Sequence, residues 1–335
     1  MAPTIHSYRT PSHYYPRRDI AEQLTPNDTQ KVTLIVAACY IVAIAILVLV
    51  SFDFVFATSQ SSPANNYRHV PILEKLIYPF KLLTVGLHEM SHALAGVLTC
   101  ATVEKITLDP QEGGSTRMRG GIPAITLPAG YLGSSFIGAC LVACGFDTNA
   151  SKVACLVLAF IWILTLWWAR SSWVAWATIA LMVGLVLACW LVAQSVALRF
   201  LILFIGVMSC FYAIWDIIDA SSLHERRRNT DTLARKVNTS DASEYAHMIG
   251  CCGSRFWGAF WLIIACCFFA AGVLVGIAAF KDDWQTQADK ASDFLGGYQR
   301  TMSFFVLPCM YTAGFLSLFC NLVSQAGTPN MTCWT

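Results

Sequence analysis

Residues 82–96 read Leu-Leu-Thr-Val-Gly-Leu-His-Glu-Met-Ser-His-Ala-Leu-Ala-Gly, and within them His88, Glu89 and His92 spell H-E-x-x-H. On a helix, positions i and i+4 share a face, so His88 and His92 can direct their imidazoles at one Zn²⁺. Glu89, one residue round, then reaches a metal-bound water. Zinc lowers the pKa of such a water towards neutrality and polarises a peptide carbonyl. Glu89 takes the proton as general base and delivers it to the leaving amine. The spacing points to hydrolysis of a peptide bond.

The elements that must position these groups are set by composition. Of 335 residues, 56% are hydrophobic and only 13% are charged, with 11 Trp and 20 Phe, against about 25% charged in ordinary soluble domains. A soluble enzyme, a disordered chain and a disulfide miniprotein are excluded, and the chain reads as an all-α polytopic membrane protein. A net charge of +2 gives no basic field for nucleic acid. The 14 cysteines contain no C-x-x-C pair, and most lie in apolar runs where Cys acts as a small hydrophobe. A spanning helix needs roughly 20 apolar residues. About eight such spans are expected, near 32–57, 72–99, 122–146, 153–169, 172–194, 196–219, 256–280 and 301–323. The organisation expected is a polar tail at 1–31, a first anchor at 32–57, a membrane core at 72–280, and an outer loop with a last helix at 281–335.

Orientation follows from Lys and Arg in short loops. Arg9, Arg17, Arg18 and Lys31 precede the first span, and Arg226–Arg228, Arg235 and Lys236 follow the sixth. Eight alternating spans put both on the cytosolic side and place the loop from Lys281 to Arg300 outside, with Arg199 as one outer exception. Trp162, Trp167, Trp168, Trp173 and Trp176 read as an interfacial belt.

In that frame the zinc pair lies within the second span. Each buried ionisable group there costs on the order of 3 kcal/mol, which coordination offsets and random packing does not. A catalytic zinc takes three protein ligands and keeps one position for water. Three aspartates share the cytosolic side: Asp216 and Asp219 in Trp-Asp-Ile-Ile-Asp, and Asp241 in Thr-Ser-Asp-Ala. Asp53 and Asp147 fall at the other side. Asp216 ranks first because it sits in apolar sequence, and Asp219 could orient a ligand histidine. Ser240 and Asp241 read as the N-cap of a helix through Tyr245 and Met248. Only a folded-back loop would bring Asp241 to the metal.

With these residues stated, the chain resembles the site-2 protease-like intramembrane zinc metallopeptidases, in particular the branch found in fungi and plants. The likeness spans roughly 72–280. It rests on His-Glu-Met-Ser-His at 88–92, Leu-Asp-Pro-Gln-Glu-Gly-Gly at 108–114, Pro-Ala-Gly-Tyr-Leu-Gly at 128–133, Trp-Asp-Ile-Ile-Asp at 215–219 and Ser-Asp-Ala at 240–242. The resemblance implies zinc-dependent cleavage of a membrane-embedded or membrane-adjacent protein, with two His and one Asp on the metal and the Glu as base. It also implies an internal membrane such as the ER or Golgi. Two departures stand out: Ser91 replaces the family's usual glycine before the second His, and the Leu-Asp-Gly signature that supplies the third ligand elsewhere is absent. Its task falls to Asp216 or Asp241, and the recurrence of Ser-Asp-Ala in this branch raises Asp241.

Val103–Leu108 alternates like a strand and runs into Gly113 and Gly114, which suggests a hairpin-like loop after the zinc helix. A substrate helix must unwind before hydrolysis, and a free strand edge could hold it by β-addition; a plain connecting loop accounts for the pattern equally well. Two other functions share parts of this pattern. A non-catalytic metal-binding membrane protein, such as a pseudoprotease or membrane-protein chaperone, would have no need of Glu89. A transporter usually shows repeats or paired broken helices, and none is visible. The partners expected are a membrane protein substrate and the lipid bilayer, without nucleic acid.

Overall fold

The computed structural model describes residues 23–59, 70–109, 113–191, 195–211 and 241–293. In chain order the elements are α1 (Asp28–Ser59), α2 (Val70–Leu98), β1 (Thr102–Asp109), β2 (Gly113–Arg119), α3 (Pro123–Cys144), α4 (Thr148–Trp168), α5 (Trp173–Leu191), α6 (Val196–Phe211), α7 (Asp241–Ile249), α8 (Ser254–Ala279) and α9 (Trp284–Asp293). Five described helices are long and apolar enough to cross a membrane: α1 over Asp28–Ile46, α3, α4, α5 and α8. The eight spans expected from sequence therefore reduce to five on this criterion among the described residues. α6 is apolar but only 16 residues long to Phe211, about 24 Å at 1.5 Å per residue. The expected span at 301–323 lies outside the described residues, as do Asp216, Asp219 and Arg226–Arg228.

α2 is less apolar than those five helices because it carries the ionisable motif, and its surroundings show why it can. Every residue from Leu82 to Ala93 is buried, so this stretch of the helix meets protein on all sides and lipid on none. Charged groups at membrane depth survive only in such a setting. Leu83 and Leu87 pack with Leu141 of α3, Leu158 and Trp162 of α4, Met182 of α5 and Ile202 of α6. The outward residues of α4, such as Leu156, Phe160 and Ile163, are exposed and apolar, as lipid-facing positions should be. Trp167, Trp173 and Trp176 are exposed, but Trp162 is buried in the core, so it leaves the expected aromatic belt. Gly138 of α3 and Gly206 of α6 bring two backbones together: a Cβ on either would lie 2.8 Å from the other's carbonyl oxygen. Small residues of this kind let helices approach where no hydrophobic effect drives them.

The hairpin is real. β1 and β2 pair antiparallel with Ile106 opposite Thr116 and Leu108 opposite Gly114, and a bulge falls between Val103 and Lys105. Ile106 and Leu108 bury their side chains against Val85, Met90 and Ala93 of α2, which fixes the sheet face to that helix. Gly120 and Gly121, both at φ near +80°, then turn the chain into α3, a conformation open to glycine at no steric cost.

The far end of the bundle corrects the expected topology. Asn27 donates from Nδ2 to the Lys281 carbonyl at 2.9 Å, and Gln30 donates from Nε2 to the Ile277 carbonyl at 3.0 Å. The start of α1 thus sits beside the end of α8, whereas strict alternation of eight spans puts them on opposite sides. Arg199 is not a loop charge either. It is fully buried, donates to Gln287 Oε1 at 2.9 Å and to Thr33 Oγ1 at 2.5 Å, and lies over the ring of Trp284. The segment expected as a simple outer loop after Lys281 contains α9, held by Gln287 and by Lys152, whose Nζ donates to the Ala291 carbonyl at 2.7 Å. Counting Lys and Arg in loops sees charge but not burial, so a cation bound inside the fold is misread as a topology signal.

Candidate metal centre

His88 and His92 lie one turn apart on α2 with ring centroids 4.7 Å apart, as their i, i+4 spacing requires. The third group arrives from a distance. α7 folds back so that Asp241, its first residue, places Oδ2 2.9 Å from His88 Nε2 and 3.0 Å from His92 Nε2. The two Nε2 atoms are themselves 3.0 Å apart. Among the described residues, His88, His92 and Asp241 form a group that could hold a metal ion.

The protonation pattern supports that reading. His92 Nδ1 is 2.6 Å from the Thr126 carbonyl, which can only accept, so Nδ1 carries the hydrogen. In the neutral ring Nε2 is then a lone pair, and it faces a carboxylate and a second imidazole nitrogen. Acceptors converging at about 3 Å repel unless a proton or a cation lies among them. The spacing is close to the ~3.3 Å that ligands at ~2.0–2.1 Å keep from one another in a tetrahedral zinc site. The hydrogen bond from Nδ1 to a carbonyl is the usual way of fixing the tautomer of a metal-binding His. The donor set therefore fits zinc. Asp241 stands outside the spanning helices; burial alone would raise its carboxyl, but His92 and His88 outweigh this and hold it well below the usual carboxylate range.

Glu89 is buried against the pair. Thr116 of β2 donates from Oγ1 to Glu89 Oε2 at 2.6 Å. Gly114, two residues earlier on the same strand face, leaves space for this carboxylate, since a Cβ there would lie 2.5 Å from Glu89 Cγ. On the opposite wall α3 supplies Gly130. A Cβ at that position would overlap His92 Nε2 and sit 2.6 Å from both Cε1 and Nε2 of His88. Ser91 is accommodated in the same way: its hydroxyl donates to the Leu87 carbonyl at 2.8 Å, and its Cβ faces Gly133, where a side chain would meet it at 2.6 Å. A glycine on α3 thus compensates for the serine on α2.

α7 is held by aromatic rings. Tyr131 meets His88 edge-on at 4.7 Å and stacks on Trp261 at 5.0 Å, while Tyr245 of α7 packs edge-on against Trp257 at 4.6 Å and Trp261 at 5.4 Å. These contacts make Ala242, Tyr131 and Trp261 one buried cluster, and they seat the helix that bears Asp241.

Of the residues singled out from sequence, His88, His92, Glu89 and Asp241 come together. Asp216 lies outside the described residues. Asp147 caps α4, accepting from the Ala150 N–H at 2.8 Å, at the end away from the site. Sequence reasoning missed Thr116, the Thr126 carbonyl and the ring cluster of Tyr131, Tyr245 and Trp261. Only the short Pro-Ala-Gly-Tyr-Leu-Gly run signalled any of these, through its lack of bulk.

A family model described as Peptidase M50B-like matches residues 37–272, which contain every group of the site. No curated protein and no solved structure matches the chain.

Proposed function

The chain belongs to the Peptidase M50B-like family of site-2 protease-like metallopeptidases, and on that premise we propose that it is a zinc metalloendopeptidase acting on membrane-embedded or membrane-adjacent protein substrates. The observation that carries this reading is the convergence of two imidazole nitrogens and one carboxylate oxygen within 3.0 Å, beside a buried glutamate.

His88, His92 and Asp241 would hold the ion. Zinc bound there would act as a Lewis acid, acidifying a water and polarising the scissile carbonyl. Glu89 then serves as general base, removing the proton from the attacking water and passing it to the leaving amide nitrogen. Among the described residues β2 has β1 on one side only, so its second edge can receive an unwound substrate strand next to Glu89. Burial of Leu82–Ala93 on every side keeps lipid from His88, Glu89 and His92. Lys105, Arg117, Arg119, Arg170 and Arg255 belong to the hairpin end of the bundle, and the positive-inside rule assigns that end to the cytosol. A pure metal holder gains nothing from burying Glu89 at a cost of several kcal/mol, which disfavours the non-catalytic reading.

The test is zinc content of the detergent-purified protein by elemental analysis, with His88→Ala, Asp241→Ala and Asp216→Ala beside the wild type. About one zinc per chain is expected, lost with His88→Ala and Asp241→Ala and kept with Asp216→Ala. Cleavage of casein should be abolished by Glu89→Gln with zinc retained. A folded wild type that carries no zinc after chelator-free purification would sink the proposal.

A further inference from the structure

The hairpin does more than present an edge, because one of its side chains grips the base. Thr116 Oγ1 lies 2.6 Å from Glu89 Oε2 and 3.1 Å from the Glu89 carbonyl oxygen. A hydroxyl has one hydrogen to donate, and the shorter contact, within the 2.5–2.7 Å range of O–H···O⁻ bonds, marks the carboxylate as its acceptor. We propose that Thr116 is a positioning residue which holds the Glu89 carboxylate in the orientation needed for proton transfer. This rests on the peptidase reading given above, and deepens it.

Several features of the fold converge on this pair. Thr116 and Gly114 project from the same face of β2, since residues two apart on a strand share a face. Gly114 leaves room for the carboxylate and Thr116 binds one of its oxygens, so the strand forms a cradle for this one side chain. Ile106 lies directly across the ladder from Thr116 and is fully buried against α2, which sets the height of the strand over the helix. Met118, the next residue on that face, would meet a Cβ on Gly96 at 3.0 Å, so β2 rests on α2 at two points along its length. The carboxylate cannot swing without breaking a charge-assisted bond, and the strand cannot lift without releasing the carboxylate. A glutamate with three rotatable bonds loses considerable freedom when buried, and here the hydroxyl selects one arrangement. The consequence is a coupling: the element whose edge would take the substrate strand is the element that sets the base.

The experiment uses the full-length, zinc-loaded protein in detergent, with Thr116→Val, Thr116→Ser and Glu89→Gln. Val matches Thr in shape and lacks the hydroxyl, while Ser restores it. The first readout is calorimetric affinity for acetohydroxamate, a bidentate zinc chelator that shares a proton with a neighbouring carboxylate and needs no turnover. Thr116→Val should weaken it about tenfold, in line with the loss of one hydrogen bond to a charged group, and Thr116→Ser should return it to within about twofold of wild type. The second readout is steady-state cleavage of casein, where Thr116→Val should lower kcat about ten- to thirtyfold with KM nearly unchanged. Zinc content should stay at one per chain in all forms, which shows that the site still folds.

Equal hydroxamate affinity and equal kcat for Thr116→Val and wild type, with Glu89→Gln impaired, overturn the assignment and leave the peptidase reading standing. A Thr116→Ser variant as defective as Thr116→Val also overturns it, since shape rather than the hydroxyl would then matter. A rise in KM with kcat unchanged would make Thr116 a substrate contact and refute the positioning role. If Glu89→Gln itself changes neither readout on zinc-loaded protein, the peptidase reading fails and Thr116 has no base to position.

Discussion

Gly130→Ala probes the site at its most crowded point. The added methyl carbon would lie 2.6 Å from Cε1 and Nε2 of His88 and would overlap His92 Nε2. Ordinary contacts begin near 3.4 Å, so the His88 ring or the α3 backbone must give by at least about 0.8 Å, and the His92 ring by more. Metal–ligand distances tolerate only about ±0.2 Å, and α2 is buried around its whole circumference from Leu82 to Ala93, so the rings have no free direction in which to move. Misplacing a ligand by this amount should weaken zinc affinity about a hundredfold, the upper end of what disturbing the groups around a metal-binding His costs. The assay is competition for zinc with a chromogenic chelator, run beside a thermal melt of the metal-free protein. The melt should show a loss of about 1–3 kcal/mol, as for other overpacked cores. Gly133→Ala, one turn further along α3, meets Ser91 and no histidine, so its zinc affinity should stay near that of wild type. A folded Gly130→Ala protein that binds zinc within about threefold of wild type would refute the idea that the α3 backbone sets the ring positions.

Other perturbations follow from the same packing. Gly133→Ala should lower the melting temperature because its methyl strikes Ser91, and adding Ser91→Gly should restore it; a double mutant no better than the single would show that the two positions are not complementary. Trp261→Ala removes the ring on which both Tyr131 and Tyr245 rest. It should loosen α7 and weaken zinc binding about three- to tenfold, as expected for aromatic pairs worth 0.5–1.5 kcal/mol each, with no change in the zinc-to-protein ratio at saturation. Gln287→Leu deprives buried Arg199 of the acceptor that α9 provides. It should destabilise the fold by about 1–3 kcal/mol, seen as a lower melting temperature, while zinc content stays the same because the site lies at the other end of the bundle.

The residues that declared themselves in the sequence did so through local rules. His88, Glu89 and His92 are bound together by helical spacing, which needs no knowledge of the rest of the chain. The spanning helices follow from apolar runs, and the hairpin from alternation at 103–108 followed by glycines, because a strand pattern and a turn are also short-range signals. Ser91 could be recognised as a departure from the family pattern, but its compensation by Gly133 could not, since the partner lies on another helix.

What the tertiary structure decided is long-range. Depth in an apolar segment favoured Asp216 as third ligand; Asp216 lies outside the described residues, and among those described Asp241 is the acid brought to the histidines, from 149 and 153 residues away. An aspartate that only caps a helix and one brought to two histidines look alike along the chain; the difference lies in Tyr245 docking on Trp257 and Trp261, which folds α7 back over α2. The start of α1 beside the end of α8 was equally hidden, because buried hydrogen bonds of Asn27, Gln30 and Thr33 leave no trace in a count of charges. Local periodicity fixes which residues share a face of one element. Which faces meet is a property of packing among elements far apart in sequence, and only the folded chain displays it.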